Sequence, residues 1–374
     1  MVGLIGLAAA VAAALVRPAS FFPGYLYAYL FWSGLSLGAM AVLMVHYQVG
    51  GSWGYLTRRI LESAVRTLPV MAVLFVPILF GLDRLYPWAR PEEVSADPHL
   101  RHLRPYLNVG FFLVRTVLYF AIWLVFAYFL TRWSTLEDRS GDPELWARRR
   151  RLSGAGLVLY ALTTYFASVD WVMSTEPHWS STIYGLLFIA SQALGAFALA
   201  TATVVLLSGD REMAGLVTGK RLNDLGNLLL VFVMFWAYIA LSQYLLIWSG
   251  NLPEEVVWYM RRIQGGWRWV IVFVIFFQFV LPFLLLLSRR TKTTVRTLAA
   301  LAVLVLFVHL VDLFWLIVPP FRPQGLSFHW LDLAAPIGVG GIWVATFVWL
   351  LRRRAILPLH DPRVASFQEA VEHG

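Results

Sequence analysis

The segment that decides the fold reads LSGAGLVLYALTTYFASVDWVMSTEPHWSST, residues 152–182. Its first part, 152–175, is a mainly apolar run, long enough for the roughly 20 residues a helix needs to cross a bilayer. Its second part gathers Asp170, Glu176 and His178 within nine positions. Pro177 disfavours helical geometry in the residue before it, so the helix is expected to end near Glu176. The segment reads as a membrane span that closes on an ionisable rim. That rim is either a helix end in water or the place where the protein works.

Composition says the same of the whole chain. Of 374 residues, 59% are hydrophobic, 16% aromatic and 14% charged, with a mean hydropathy of +0.69. Soluble domains average about 45–50% apolar and about 25% charged. An all-α integral membrane protein is predicted. There is no cysteine, which excludes disulfides, thiol chemistry and cysteine-ligated iron–sulfur clusters. No phosphate loop, catalytic-triad motif or zinc spacing appears. A b-type haem needs axial ligands at facing depths, and His309, high in its span, does not match His46, low in its own.

Spans are predicted at 22–48, 67–86, 106–131, 152–175, 182–207, 224–248, 267–288, 295–318 and 330–351. The apolar run at 2–16 reads as a first span, with a signal peptide as the alternative, although no basic residue precedes it. The total is ten. The loops on one side and the C-terminal tail hold twenty Lys and Arg, against nine on the other, and RRRR (148–151) and RRR (352–354) are the strongest signals. By the positive-inside rule, both termini are expected in the cytoplasm. Residues 1–352 form a single polytopic domain and 353–374 a cytoplasmic tail. The proline-rich 87–105 loop reads as irregular and external, and kinks are expected at Pro69, Pro77, Pro282 and Pro336.

An internal echo organises the spans. YAYLFWSGLSLGAMA (27–41) matches YGLLFIASQALGAFA (184–198) at seven of fifteen positions. The copies lie four spans apart and so run parallel. This predicts two four-helix bundles, spans 2–5 (about 22–175) and 6–9 (about 182–318), related by an axis along the membrane normal, with helices 1 and 10 flanking them. Gly34 and Gly38 form a G-x-x-x-G pattern suited to close helix contact.

At about 1.5 Å of rise per residue, Asp170 lies about 28 Å above Arg151, near the outer edge of the hydrocarbon. Arg115, His309 and Asp312 also fall in the outer half. Asp332 and Glu176 lie above them. The inner half is expected to hold almost no ionisable residue away from the interface, only hydroxyls such as Tyr160, Thr163 and Thr164. Ionisable groups at membrane depth are expensive and usually face the protein interior in pairs. Asp170 is the natural carboxylate for Arg115. The pair can be purely structural, and Asp312 can be a protonated core acid. The six groups Asp170, Glu176, His178, Arg115, His309 and Asp312 are expected to converge on one outer chamber.

Three stretches resemble a known family: SVDWVMSTEPHWSSTIYG (168–185), FWAYIALSQYLLIWSGNLPEE (235–255) and HWLDLAAPIGVGGIWVATFVWLLRRRAILPLHDPR (329–363). They are similar to the ActF-type membrane subunits of bacterial alternative complex III, a branch of the NrfD/PsrC-like family. The likeness runs through nearly all the chain. It implies two four-helix bundles with flanking helices and a place in a quinol-oxidising respiratory or photosynthetic complex of the bacterial cytoplasmic membrane. It implies as partners an ActC-like paralogue, a haem c subunit and an iron–sulfur subunit. A quinone, menaquinone or ubiquinone, is the one cofactor the resemblance brings; no metal or covalent cofactor is expected on this chain. Asp170, Glu176 and His178 match the shared D-W-x-M-S-x-E-P-H-W box. The span at 106–131 has no His, which the resemblance implies for the quinol-oxidising paralogue. The expectation is therefore an outer proton half-channel coupled to quinol oxidation next door, with Tyr160, Thr163 and Thr164 as a relay from below. Direct quinol oxidation and a purely structural docking role are the alternatives.

Overall fold

The computed structural model describes residues 18–209, 213 and 216–357. The predicted first span at 2–16 and the tail beyond residue 357 lie outside them. Every regular element among the described residues is helical, and nine helices are long and apolar enough to cross a membrane. The long helices are α1 (Pro18–Val49), α2 (Trp53–Leu79), α3 (Val109–Ser140), α4 (Glu144–Trp171), α5 (Tyr184–Leu206), α6 (Gly219–Gly250), the shorter α7 (Pro253–Ile263), α8 (Trp267–Leu287), α9 (Val295–Ile317) and α10 (Leu331–Arg352). Only α7 is no span.

Helix α1 is the axle. It packs on α2, α4, α5, α9 and α10. Helices α1 to α4 contact one another in a ring, and α5, α6, α8 and α9 form a second. The rings meet where α1 lies along α5, the two helices that carry the echoed sequences. Glycine permits the approach: a Cβ on Gly38 would stand 2.0 Å from the Gln192 carbonyl oxygen, and one on Gly34 would stand 3.3 Å from Gln192 Cγ. Without hydrophobic drive between helices in lipid, such backbone proximity supplies the packing contact.

Pro69 and Pro77 break α2 where kinks are predicted, whereas Pro336 lies inside the continuous α10, and tyrosines serve the freed carbonyls. Pro69 and Pro77 each sit in the first turn of a new segment of α2, which runs as Trp53–Val65, Leu68–Leu74 and Val76–Leu79. Tyr25 and Tyr29 of α1 donate to the Leu74 and Met71 carbonyls at 2.7 and 3.1 Å. Pro336 leaves the Asp332 carbonyl without its helical partner, and the Tyr27 hydroxyl donates to it. Just before Pro282, residues Ile275–Val280 of α8 form a π-helical turn. The 87–105 loop is not irregular. It folds into the short helices Pro87–Ala89, Pro91–Ala96 and Pro98–Leu103, each opened by proline at its permitted N-terminal place.

The second predicted span is displaced. It was expected at 67–86 and occupies Trp53–Leu79, which carries Arg58, Arg59 and Glu62 into the bundle. There they are 0%, 2% and 1% exposed. Glu62 accepts from Arg58 Nε at 3.0 Å, Arg59 Nη1 at 2.8 Å, Ser134 Oγ at 2.6 Å and Tyr47 at 3.1 Å. Glu137 pairs with Arg58 and with Arg149 at 2.6 Å, Asp138 pairs with Arg59, and Arg354 approaches Glu62 at 3.5 Å. The expectation of an inner half almost free of ionisable groups is therefore wrong. Mutual neutralisation lets a charged cluster enter a bundle that a hydropathy window would keep apolar.

Substituting Gly38→Ala should lower stability by about 1–3 kcal/mol, the usual cost of overpacking a tight contact. Denaturant or detergent unfolding against a Gly110→Ala control, where a Cβ meets nothing closer than 3.6 Å, checks it.

Candidate functional site

The six predicted residues occupy separate environments. The first is in the α1–α4 ring. Arg115 of α3 grips Asp170 of α4 in a fork, Nε to Oδ2 at 2.8 Å and Nη2 to Oδ1 at 2.9 Å. Tyr119, one turn below Arg115, donates to Oδ2 at 2.8 Å, and Arg115 Nη1 reaches the Tyr106 carbonyl at 2.9 Å. The guanidinium lies over the Tyr106 ring at 3.9 Å. In the loop before α3, the Tyr106 phenol is pushed up to about 12, first by burial and then by the Asp170 charge. Asp170 is 0% exposed. Both its oxygens are taken, so the pair is a closed, internally neutralised unit.

The second environment binds Glu176, just past the end of α4. Arg261 and Arg262 of α7 hold its two oxygens, Arg262 at 2.6 Å. Arg262 is 1% exposed, lies over the Trp258 ring at 3.8 Å and also donates to the Leu316 carbonyl at 2.8 Å. Helix α7 lies between the predicted spans 224–248 and 267–288. Its signals were present: Pro253 at the start, Glu254 and Glu255 in the first turn, Arg261 and Arg262 in the last.

His178 belongs to a third, exposed group. Its Nε2 meets Asp97 at 2.8 Å and its ring stacks on His99 at 4.9 Å. Desolvation would raise the Asp97 carboxyl, but the His99 N–H and then His178 hold it below the usual range. The group clasps the 97–99 turn to the 176–178 turn at the surface.

The fourth environment is inside the second ring. Asp312 of α9 accepts from Trp236 Nε1 at 3.2 Å, and Gln278, on the π-helical turn of α8, is within reach of the same carboxyl. Asp312 is 2% exposed and forms no ion pair with Lys or Arg among the described residues. One turn below, His309 is 1% exposed, and neither ring nitrogen has a hydrogen-bond partner among the described residues. It faces Phe31 at 5.5 Å and the Cα of Gly195, where a Cβ would come within 2.9 Å of its ring. Tyr184, 1% exposed at the head of α5, lies within electrostatic reach of Glu176, Arg262 and Asp312.

The expected single chamber is thus corrected. Asp170 and Asp312 face different rings, because each helix turns its acid toward the neighbours of its own bundle. No protein-family model matches the chain, and no curated protein matches it. The predicted hydroxyl relay also divides. Tyr160 donates to Gln192 at 2.8 Å, whereas Thr163 accepts from Trp123 at 2.8 Å on the other face of α4. Thr164 borders a cavity of about 10 Å³ shared with Ser33, Ser168, Trp171 and Gln192. That volume is on the scale of one water. A quinone ring does not fit it, and Asp170 has no free oxygen to offer one.

The two acids should respond differently to mutation. Arg115→Met strands a buried carboxylate and should cost about 3–5 kcal/mol, whereas Arg115→Met combined with Asp170→Leu should recover most of that loss. A double-mutant cycle by reversible unfolding in detergent micelles measures it; equal losses in single and double variants would contradict the pairing.

Proposed function

We propose that this chain is an ActF-type membrane subunit of a bacterial quinol:electron-acceptor oxidoreductase, an alternative complex III. In this reading it works beside an ActC-like paralogue, a haem c subunit and an iron–sulfur subunit. It lies in the cytoplasmic membrane with the arginine-rich end inside. In this reading the two rings are the parallel repeat that the echoed sequences predict. What supports the assignment is the sequence resemblance together with two adjoining four-helix rings.

The proposed role is an outer proton half-channel coupled to quinol oxidation in the neighbouring subunit. The observation that carries it is Asp312. A carboxyl sealed in the bundle, served by the neutral Trp236 indole rather than by a guanidinium, can gain or lose a proton without breaking a salt bridge. His309 below it has two uncommitted ring nitrogens, so it can pass a proton on. Tyr184, within electrostatic reach of both, links the rim at Glu176 to Asp312; Glu176 itself is fixed by Arg261 and Arg262 and marks the mouth of the route. The Arg115–Asp170 pair, closed on itself, is the structural counterpart in the first ring. The chain's residues hold and move protons in this scheme, and quinol chemistry belongs to the partner.

Replacing Asp312→Asn in the assembled complex should lower the number of protons moved per electron while quinol turnover continues. Asp170→Asn should instead reduce assembly. An Asp312→Asn complex that retains the wild-type proton-to-electron ratio would remove Asp312 from the route.

A further inference from the structure

A cavity lined by none of these ionisable residues opens between α9 and α10 at the arginine-rich end of the molecule and holds about 850 Å³. Helices α9 and α10 both lean on α1 and do not pack along each other, so a furrow remains, floored by α1 and α5. Its walls are apolar, with Leu206, Val303, Phe307, Val344 and Phe347 among them. Leu206, Val303 and Phe307 are more than half exposed. From Trp343 to Arg352 the furrow follows α10 over nine helical steps, about 14 Å at the helical rise. That is about half of a 30 Å hydrocarbon core, the depth of one leaflet.

The polar groups are confined to one end. Arg352 and Arg354 stand at the mouth. Arg354 is turned inward to Glu62 and Thr135, but Arg352 is exposed and makes no ion pair among the described residues. Next to it Arg353 lies over the Trp349 ring at 3.8 Å, the arginine–tryptophan arrangement of a headgroup boundary. At the deep end, the two indole N–H groups are already committed, Trp32 to the Pro336 carbonyl at 2.9 Å and Trp343 to Ser36 at 2.8 Å. Thr203 is the other polar side chain on the wall. A furrow with a cationic mouth and no free donor at depth suits a ligand with an anionic head and a hydrocarbon tail. It does not suit a quinone ring, which needs donors where the ring sits.

We propose that this furrow holds one anionic phospholipid of the leaflet at the arginine-rich end, its phosphate on Arg352 and an acyl chain laid between α9 and α10. Charge complementarity selects the head, and leaflet depth selects the chain. The lipid would fill the gap that the two helices leave and tie α10 to the second ring. The inference is independent of the proton route.

Native mass spectrometry of the full chain in detergent, titrated with dioleoyl phosphatidylglycerol or dioleoyl phosphatidylcholine, tests it. One phosphatidylglycerol should be retained in preference to phosphatidylcholine. Arg352→Gln should weaken phosphatidylglycerol about fivefold, the factor matching about 1 kcal/mol per basic residue at a membrane surface, and weaken zwitterionic phosphatidylcholine less, so that the preference between the two narrows. Val344→Trp, which fills the furrow, should abolish retention of both. Arg352 is exposed, so the headgroup result stands even if Val344→Trp does not fold. Equal retention of the two lipids, an unaltered affinity in Arg352→Gln, displacement of the lipid by inorganic phosphate alone, or preferential uptake of ubiquinone would each overturn the proposal.

Discussion

Charges that cannot be left in hydrocarbon must enclose one another, and this constraint governs the described structure from end to end. At the arginine-rich end, Glu62 gathers Arg58 and Arg59 from its own helix, Ser134 from α3 and Tyr47 from α1, with Arg354 behind it. Glu137 then binds Arg149 of α4 to the same cluster. Four guanidiniums and three carboxylates thus lock α2, α3, α4 and the end of α10 together. Removing any carboxylate would leave a buried cation with no water to serve it, which is why such a cluster behaves as a unit. The same rule operates at the opposite end with fewer members, in Arg115–Asp170 and in Glu176 with its two arginines.

Backbone groups obey the constraint as well. Each proline that breaks a span releases a carbonyl, and α1 brings a tyrosine hydroxyl to the repair at three places, Tyr25, Tyr27 and Tyr29. Helix α1 reaches out on two sides: Tyr25 and Tyr29 serve α2, while Tyr27 serves α10. Further along, Gly34 and Gly38 let the α5 backbone come close.

Two buried ionisable groups stand outside these ion pairs and carry the functional reading. Asp312 has the Trp236 indole as donor but no cation, and His309 has neither donor nor acceptor, though both are as deeply buried as the salt-bridged residues. The π-helical turn that carries Gln278 lies beside Pro282, so a local defect in α8 sits near the one buried acid among the described residues that lacks a counter-ion. Helical irregularity at such a place is a common mark of function.

The sequence by itself determined the membrane-spanning, all-α class, the approximate place of eight spans, the glycine face between the two echoed helices and the partnership of Arg115 with Asp170. Each of these depends on local pattern or on an energetic necessity with one obvious solution: a lone arginine at depth needs an acid, and the adjacent span offered it. Tertiary structure alone decided the rest. The second span carries its arginines inward because, besides the local Glu62, the carboxylates of Glu137 and Asp138 lie 79 positions away and neutralise them, and no window along the chain contains those partners. It assigned Glu176 to arginines of α7 that lie 85 and 86 residues further on. It also parted Asp170 from Asp312, since depth can be counted along a helix but the direction a side chain faces is set by which neighbours the helix packs against.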